Sequence, residues 1–294
     1  MHDHLPHYIT RHKNLIDKEL QQHLHKLSVP NQLKESMLYS VEAGGKRLRP
    51  ILMMASFESF QNGVEKVLTT ACALEMIHTY SLIHDDLPAM DDDDLRRGKP
   101  TNHKVFDEAT AILAGDGLLT YSFEIVANDP MLSEHEKVEI IKLLAQASGP
   151  SGMVAGQILD MKSEDQSISL EALDQIHRLK TGELISFAVH AGAYLGQATK
   201  EQLEYLRTFS TYLGLIFQVQ DDILDVVGDP DKLGKPLGSD EGNQKSTYPK
   251  LLGLEGARQK KEDYIQKATH ALRKAHAEES YLLVLTEYLA NRDH

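Results

Sequence analysis

Apolar positions recur along most of this chain at steps of three and four, the spacing of helices with one buried stripe. Over 64–87 the series runs Val67, Leu68, Ala71, Leu74, Ile77, Ser81 and Leu82. Over 203–227 it runs Leu203, Leu206, Leu213, Ile216, Phe217, Ile223 and Leu224. The same reading predicts helices over about 8–26, 32–43, 48–60, 106–127, 134–147, 171–195, 257–275 and 279–290. Turn chemistry separates them: Ser28 to Pro30, Asp129 and Pro130, Gly149 and Pro150, and the run from Gly228 to Gly242. Ser133 with Glu136 predicts a capping box, which Ser169 with Ala172 lacks. No alternating stretch of useful length predicts a strand. The expected fold class is all-α, with long helices and short connections in one domain over 1–294.

Composition narrows the function. A chain of 294 residues, 41% hydrophobic and 26% charged, is globular rather than disordered. Its net charge of −13 speaks against general binding to nucleic acid or to anionic membranes. Cys72 is the one cysteine, which excludes an internal disulfide and a cysteine-based zinc cluster. The first residues lack the apolar core of a secretory signal, and no apolar run of membrane-spanning length occurs. The expected address is the cytoplasm, without membrane insertion. Of the 15 histidines, His2, His4, His7 and His12 crowd the start, where a frayed, solvated end is expected.

Two acid clusters, about 135 residues apart, each close a long apolar helix. The first holds His84, Asp85, Asp86, Pro88 and the run Asp91 to Asp94; the second holds Gln218, Asp221, Asp222 and Asp225. Asp221 and Asp225 are one turn apart on one face, where like charges repel, and carboxylates at a helix C-terminal end also oppose its dipole. A cation is needed there. Asp85 and Asp91 would diverge on an unbroken helix, but Pro88 ends or bends it, so the chain can return Asp91 to Asp85. Carboxylate clusters poor in histidine and cysteine, brought face to face, select hard cations. Mg²⁺ fits best when phosphate oxygens complete its octahedron. An isolated acid run is more often solvated surface; the pairing of two at apolar helix ends favours metal.

Local basic groups adjoin the acids. Gly44 and Gly45 precede Lys46, Arg47, Arg49 and Pro50, and glycine lets backbone approach an anion closely. Arg96, Arg97 and Lys99 follow the first cluster, Lys180, Thr181 and Gly182 interrupt an apolar helix, and Lys235 and Lys245 flank the loop after the second. Metal plus phosphate chemistry accounts for the combination.

These segments, together with the stretches at 156–161 and 179–185, closely resemble the bacterial short-chain trans-prenyl diphosphate synthases, nearest to their farnesyl-making branch. The resemblance implies an all-α isoprenoid-synthase bundle around a deep central cavity, in a homodimer. It implies that Asp85 and Asp91, with Asp86 assisting, and Asp221, supported by Asp222 and Asp225, hold Mg²⁺: three ions in the fully loaded site, with Mn²⁺ as an alternative. Arg96, Lys180, Lys235 and Lys245 would grip the allylic diphosphate. Lys46, Arg49, His78 and Arg97 would hold isopentenyl diphosphate, and Thr181 and Gln218 would offer oxygen dipoles to an allylic cation.

The chemistry implied is head-to-tail condensation of isopentenyl diphosphate with dimethylallyl and then geranyl diphosphate. Cations aimed at the departing diphosphate stabilise the charge that grows as its bond breaks. Tyr80 lies five residues, about 7.5 Å, back from Asp85, where a ring can floor the cavity and stop the product at fifteen carbons. Other readings stay open: a longer-chain, geranylgeranyl-making synthase, a terpene cyclase, which needs no second metal-free diphosphate pocket, or a non-catalytic metal-binding subunit. The absence of an EF-hand pattern weakens a calcium scaffold.

Overall fold

The computed structural model describes residues 4–164, 166–228 and 246–292. Its helices are α1 (Leu5–His25), α2 (Asn31–Glu42), α3 (Leu48–Glu58), α4 (Glu65–Asp85), the one-turn α5 (Asn102–Val105), α6 (Glu108–Ala127), α7 (Glu134–Ser148), α8 (Met153–Ser163) and α9 (Leu170–His177). A π-helical turn, Arg178–Gly182, joins α9 to α10 (Glu183–Leu195). Then follow α11 (Lys200–Val227), α12 (Tyr248–Lys274) and α13 (Tyr281–Asn291). The one sheet among the described residues is a ribbon of β1 (Leu95–Arg96) and β2 (Lys99–Pro100), paired antiparallel. No described helix is long and apolar enough to cross a membrane.

The residues fall into two compact units. One comprises Pro6–Met54 and Gly63–Lys142, the other Met1–Leu5, Ala55–Asn62 and Leu143–His294. In the first, α4 lies along α6, and α2 packs on both. Helix α4 is apolar nearly all round: Val67, Ala71, Cys72, Leu74, Met76 and Ile77 are fully buried. A helix of that kind is a central one. In the second, α11 lies along α12 and also packs on α10, with Phe209, Leu213, Leu215 and Ile216 at its buried face.

Several local expectations changed. His12 is 1% exposed, with its Nδ1 2.8 Å from the Tyr8 carbonyl, so it is a core residue of α1 and not part of a solvated end. Helix α8 is absent from the predicted set, although Val154, Ile158 and Met161 stand at steps of four and three; the fold leaves this apolar stripe exposed. Helix α12 starts at Tyr248, before the predicted 257, and continues across a non-helical Gly253 at φ 70°. The predicted capping box forms at Ser133 and Glu136. A second box, Thr199 with Gln202, opens α11.

Candidate active site

The first acid cluster takes its shape from the end of α4. Proline at 88 cannot continue the helix, and the chain turns back. The Asp91 N–H donates to the Asp85 carbonyl at 2.9 Å, so residues that a straight helix would send apart share one turn. Asp85 is half-buried and Asp91 exposed. Asp86 is instead 3% exposed and receives Arg96 Nε at 2.6 Å. Burial pushes the Asp86 carboxyl above its usual pKa, against the pull of Arg96. Arg96 also reaches Asp93 at 3.4 Å, and Asp94 pairs with Lys104 at 2.7 Å. Of the acidic run 91–94, Asp91 is the member that the turn returns to Asp85.

Beside the same helix is a concentration of positive charge. The loop before α3 passes Gly44 and Gly45 at φ 87° and 131°, which only glycine adopts without strain. A Cβ on Gly45 would stand 2.7 Å from the Arg97 guanidinium carbon, and Arg97 donates to the Gly44 carbonyl. Lys46 is exposed, and Arg49 Nη1 lies 3.3 Å from His78 Nε2. Desolvation, then the charges of Arg49 and Arg97, hold the His78 imidazole well below its ordinary pKa and neutral at pH 7. The structure thus brings the cations Arg49 and Arg97 around a neutral His78. Tyr80, 7% exposed on α4, meets the His84 ring edge-on at 5.7 Å. Burial, then Asp85, pushes its hydroxyl up to about 12.

In the other unit, Gly214, Gln218 and Asp221 follow one another on α11 at steps of four and three, so they share a face. Asp222 and Asp225 are buried, at 5% and 3% exposed. Asp222 Oδ2 accepts the Tyr248 N–H at 2.9 Å, placing a carboxylate at the N-terminus of α12, where the helix dipole favours it. Asp221 is more open and pairs with Arg292, the cation that its position called for. The Arg292 guanidinium also covers the Phe217 ring at 4.2 Å. Two further bonds hold the chain end there: Gln220 Nε2 to the Arg292 carbonyl and Lys261 Nζ to the Ala290 carbonyl, both 2.7 Å.

Lys180 and Thr181 sit in the π-helical turn, a widening of the helix often found at functional sites. Two glycines clamp that turn. A Cβ on Gly156 of α8 would lie 2.1 Å from the Lys180 nitrogen, and one on Gly214 of α11 would lie 2.9 Å from Gly182 Cα. Backbone therefore meets backbone on both sides. The turn is seated on α11 one turn before Gln218. Lys180 Nζ donates to Asp160 Oδ2 at 2.6 Å, one turn along α8 from Gly156. Just ahead of the turn, Asp174 accepts the Tyr248 and Tyr264 hydroxyls at 2.5 and 2.8 Å, and His177 stacks on Tyr248.

Asp160, Tyr248 and Arg292 are contacts of candidate site residues that sequence reasoning missed. Asp160 lay inside a recognised stretch but had no visible partner, and the other two have no local motif. Lys235 and Lys245 lie outside the described residues. The donor set suits Mg²⁺: every candidate ligand is a carboxylate. Among the described residues no three His, Cys, Asp or Glu side chains form a ready-made cage. An ion held by one or two carboxylates and otherwise by water and substrate phosphate needs none.

Residues 30–284 match the family model for polyprenyl synthetase. The chain is 48% identical to farnesyl diphosphate synthase of Geobacillus stearothermophilus, covering 98% of this chain and 97% of that one. It is 44% identical to a chloroplastic geranylgeranyl pyrophosphate synthase of Capsicum annuum, covering 97% of this chain and 78% of that protein. Among solved structures, an FPP/GFPP synthase from Zymomonas mobilis superposes with a TM-score of 0.87 at 37% identity, over 99% of this chain and all of that one.

Proposed function

The chain belongs to the polyprenyl synthetase family and is a prenyltransferase, and from that premise we propose that it makes farnesyl diphosphate by two successive head-to-tail condensations. Dimethylallyl diphosphate and then geranyl diphosphate supply the allylic group, and isopentenyl diphosphate supplies each five-carbon extension. One observation carries the two-substrate reading: the cations Arg49 and Arg97 gather around a neutral His78, in addition to Lys180 and the acid clusters. Two diphosphates in one reaction need two kinds of grip, and a cyclase acting on one diphosphate has no use for the second.

In this reading Asp85 and Asp91, with Asp86 assisting, and Asp221, with Asp222 and Asp225 in support, would hold Mg²⁺. Once bound, that ion would neutralise charge on the departing diphosphate. Arg96 and Lys180, joined by Lys235 and Lys245, grip the allylic diphosphate, and Asp160 holds the Lys180 ammonium in place. Lys46, Arg49, His78 and Arg97 hold isopentenyl diphosphate; His78, being neutral, accepts from Arg49 at Nε2 and keeps its Nδ1–H as a donor, without adding to the crowded positive charge. Thr181 and Gln218 turn oxygen dipoles to the allylic cation. Its water-sensitivity demands an apolar chamber, which Tyr80 floors. In this reading the enzyme works in the cytoplasm as a homodimer.

The test incubates purified protein with labelled isopentenyl diphosphate, each allylic diphosphate and Mg²⁺, then separates products by chain length. A fifteen-carbon diphosphate is the expected main product. Failure to incorporate label would overturn the reading, and a twenty-carbon main product would establish the longer-chain alternative that the geranylgeranyl-making relative represents.

A further inference from the structure

We infer that Arg47 is a positioning residue for the isopentenyl diphosphate grip, an inference that rests on the assignment of Lys46, Arg49 and His78 to that substrate. Arg47 sits between Lys46 of the loop and Arg49 of the first turn of α3 yet behaves unlike either. It is 3% exposed, whereas Lys46 is exposed and Arg49 half-buried. Its backbone is left-handed, at φ 50°, an unfavourable conformation for a residue with a long side chain. Three different elements over-determine it. Arg47 Nε donates to Asp17 Oδ1 of α1 at 2.8 Å, Nη1 to Glu75 Oε1 of α4 at 2.6 Å, and Nη2 to the Val41 carbonyl of α2 at 2.6 Å. Its own carbonyl accepts the Ile51 N–H at 3.0 Å and so starts α3.

The arrangement has a geometric consequence. Glu75 lies three residues before His78 on α4, so both face the same side of that helix. Arg47 fixes the loop to Glu75, and Arg49, two residues on, comes to 3.3 Å from His78. The buried pair therefore sets the register between the loop and the helix that share the ligand. The guanidinium fork is what permits this, since each of its three nitrogens meets a different acceptor in a fixed plane. Lysine would keep the charge and lose the simultaneous bonds. Asp17 completes the set from the more open side: burial alone would raise its pKa, but Lys13 and Arg47 hold it below the usual carboxylate range.

The experiment measures KM for isopentenyl and for geranyl diphosphate, kcat and thermal midpoint in Arg47→Lys and Asp17→Asn. Misplacing the loop should raise KM for isopentenyl diphosphate about tenfold in Arg47→Lys, with KM for geranyl diphosphate unchanged. Asp17→Asn, a milder change at the edge of the pair, should raise the same constant by a few-fold and decides the matter if Arg47→Lys does not fold. A lowered thermal midpoint with neither KM moved, or with both moved together, would reduce Arg47 to a stabilising residue and overturn the inference. Lys46→Ala and Arg49→Ala run in parallel. If these leave KM for isopentenyl diphosphate untouched, the ligand assignment fails; if they raise it and Arg47→Lys and Asp17→Asn do not, the positioning role alone fails.

Discussion

The Asp91 amide donates to the Asp85 carbonyl across 2.9 Å, and this bond closes the turn that makes two aspartates six residues apart into neighbours. If they hold the metal, Asp85→Ala and Asp91→Ala should each lower turnover by orders of magnitude while far-ultraviolet circular dichroism stays helical. Asp92→Ala, next along the same turn, should have a far smaller effect. Equal losses in all three would show that the acidic run acts only as diffuse charge.

Tyr80 is buried against His84 on the helix that ends at Asp85. Replacing the ring by a methyl group removes the proposed floor. Tyr80→Ala should shift the product distribution from fifteen carbons to twenty and beyond, read by chromatography of the dephosphorylated alcohols. An unchanged fifteen-carbon product would return Tyr80 to the role of ordinary core.

Gly156 offers a sharper test of the π-helical turn. An added Cβ would meet the Lys180 nitrogen at 2.1 Å, with backbone as the obstacle. Gly156→Ala should therefore cost about 1–3 kcal/mol of stability, as overpacking does. Because the displaced atom belongs to Lys180, KM for the allylic diphosphate should rise as well. Calorimetry and steady-state kinetics read the two effects separately.

His177 predicts a pH dependence. Burial lowers its pKa from 6.5 to about 4, with Asp160 and Asp174 opposing the shift. The unfolded chain takes up a proton near pH 6.5 that the folded chain refuses until about 4. Stability is thus greatest above pH 6.5 and falls as the pH drops from there toward 4, by roughly 2–3 kcal/mol from this residue. His177→Phe, which keeps a ring against Tyr248, should flatten that part of the stability curve in thermal unfolding.

Arg292 gives a prediction about metal binding. Its guanidinium occupies Asp221, a group proposed to hold Mg²⁺. Arg292→Gln should tighten Mn²⁺ binding to the substrate-free protein, measured by electron paramagnetic resonance, without changing the helical content. Unaltered affinity would mean that the ion pair and the metal do not compete.

Much of this was legible in the sequence, for definite reasons. The stripe of α11 is strong because one face is buried and the other carries polar residues, whereas α4 is legible through its long, nearly unbroken apolar content. The return of Asp91 to Asp85 followed from Pro88, whose ring sets a local constraint. Helix α8 was missed because it is short and only Val154, Ile158 and Met161 mark its stripe, which the fold leaves exposed. The Lys180–Asp160 pair was hidden because its members lie on separate elements, α8 and the π-helical turn, that the fold brings together. Asp222 shows the limit of motif reading. Its place beside Asp221 pointed to support of the metal, and nothing in the sequence pointed to its bond with the first amide of α12.

The contact of Gly182 with Gly214 carries a consequence for how such an enzyme diversifies. Where main chain rests on main chain there is no rotamer to adjust and no larger residue to accommodate. Position 214 of α11 is therefore closed even to alanine, because the added carbon would meet Gly182 Cα at 2.9 Å. If Tyr80 floors the chamber as proposed, changes of product size belong at walls of interchangeable side chains like that one, and not at this main-chain seat.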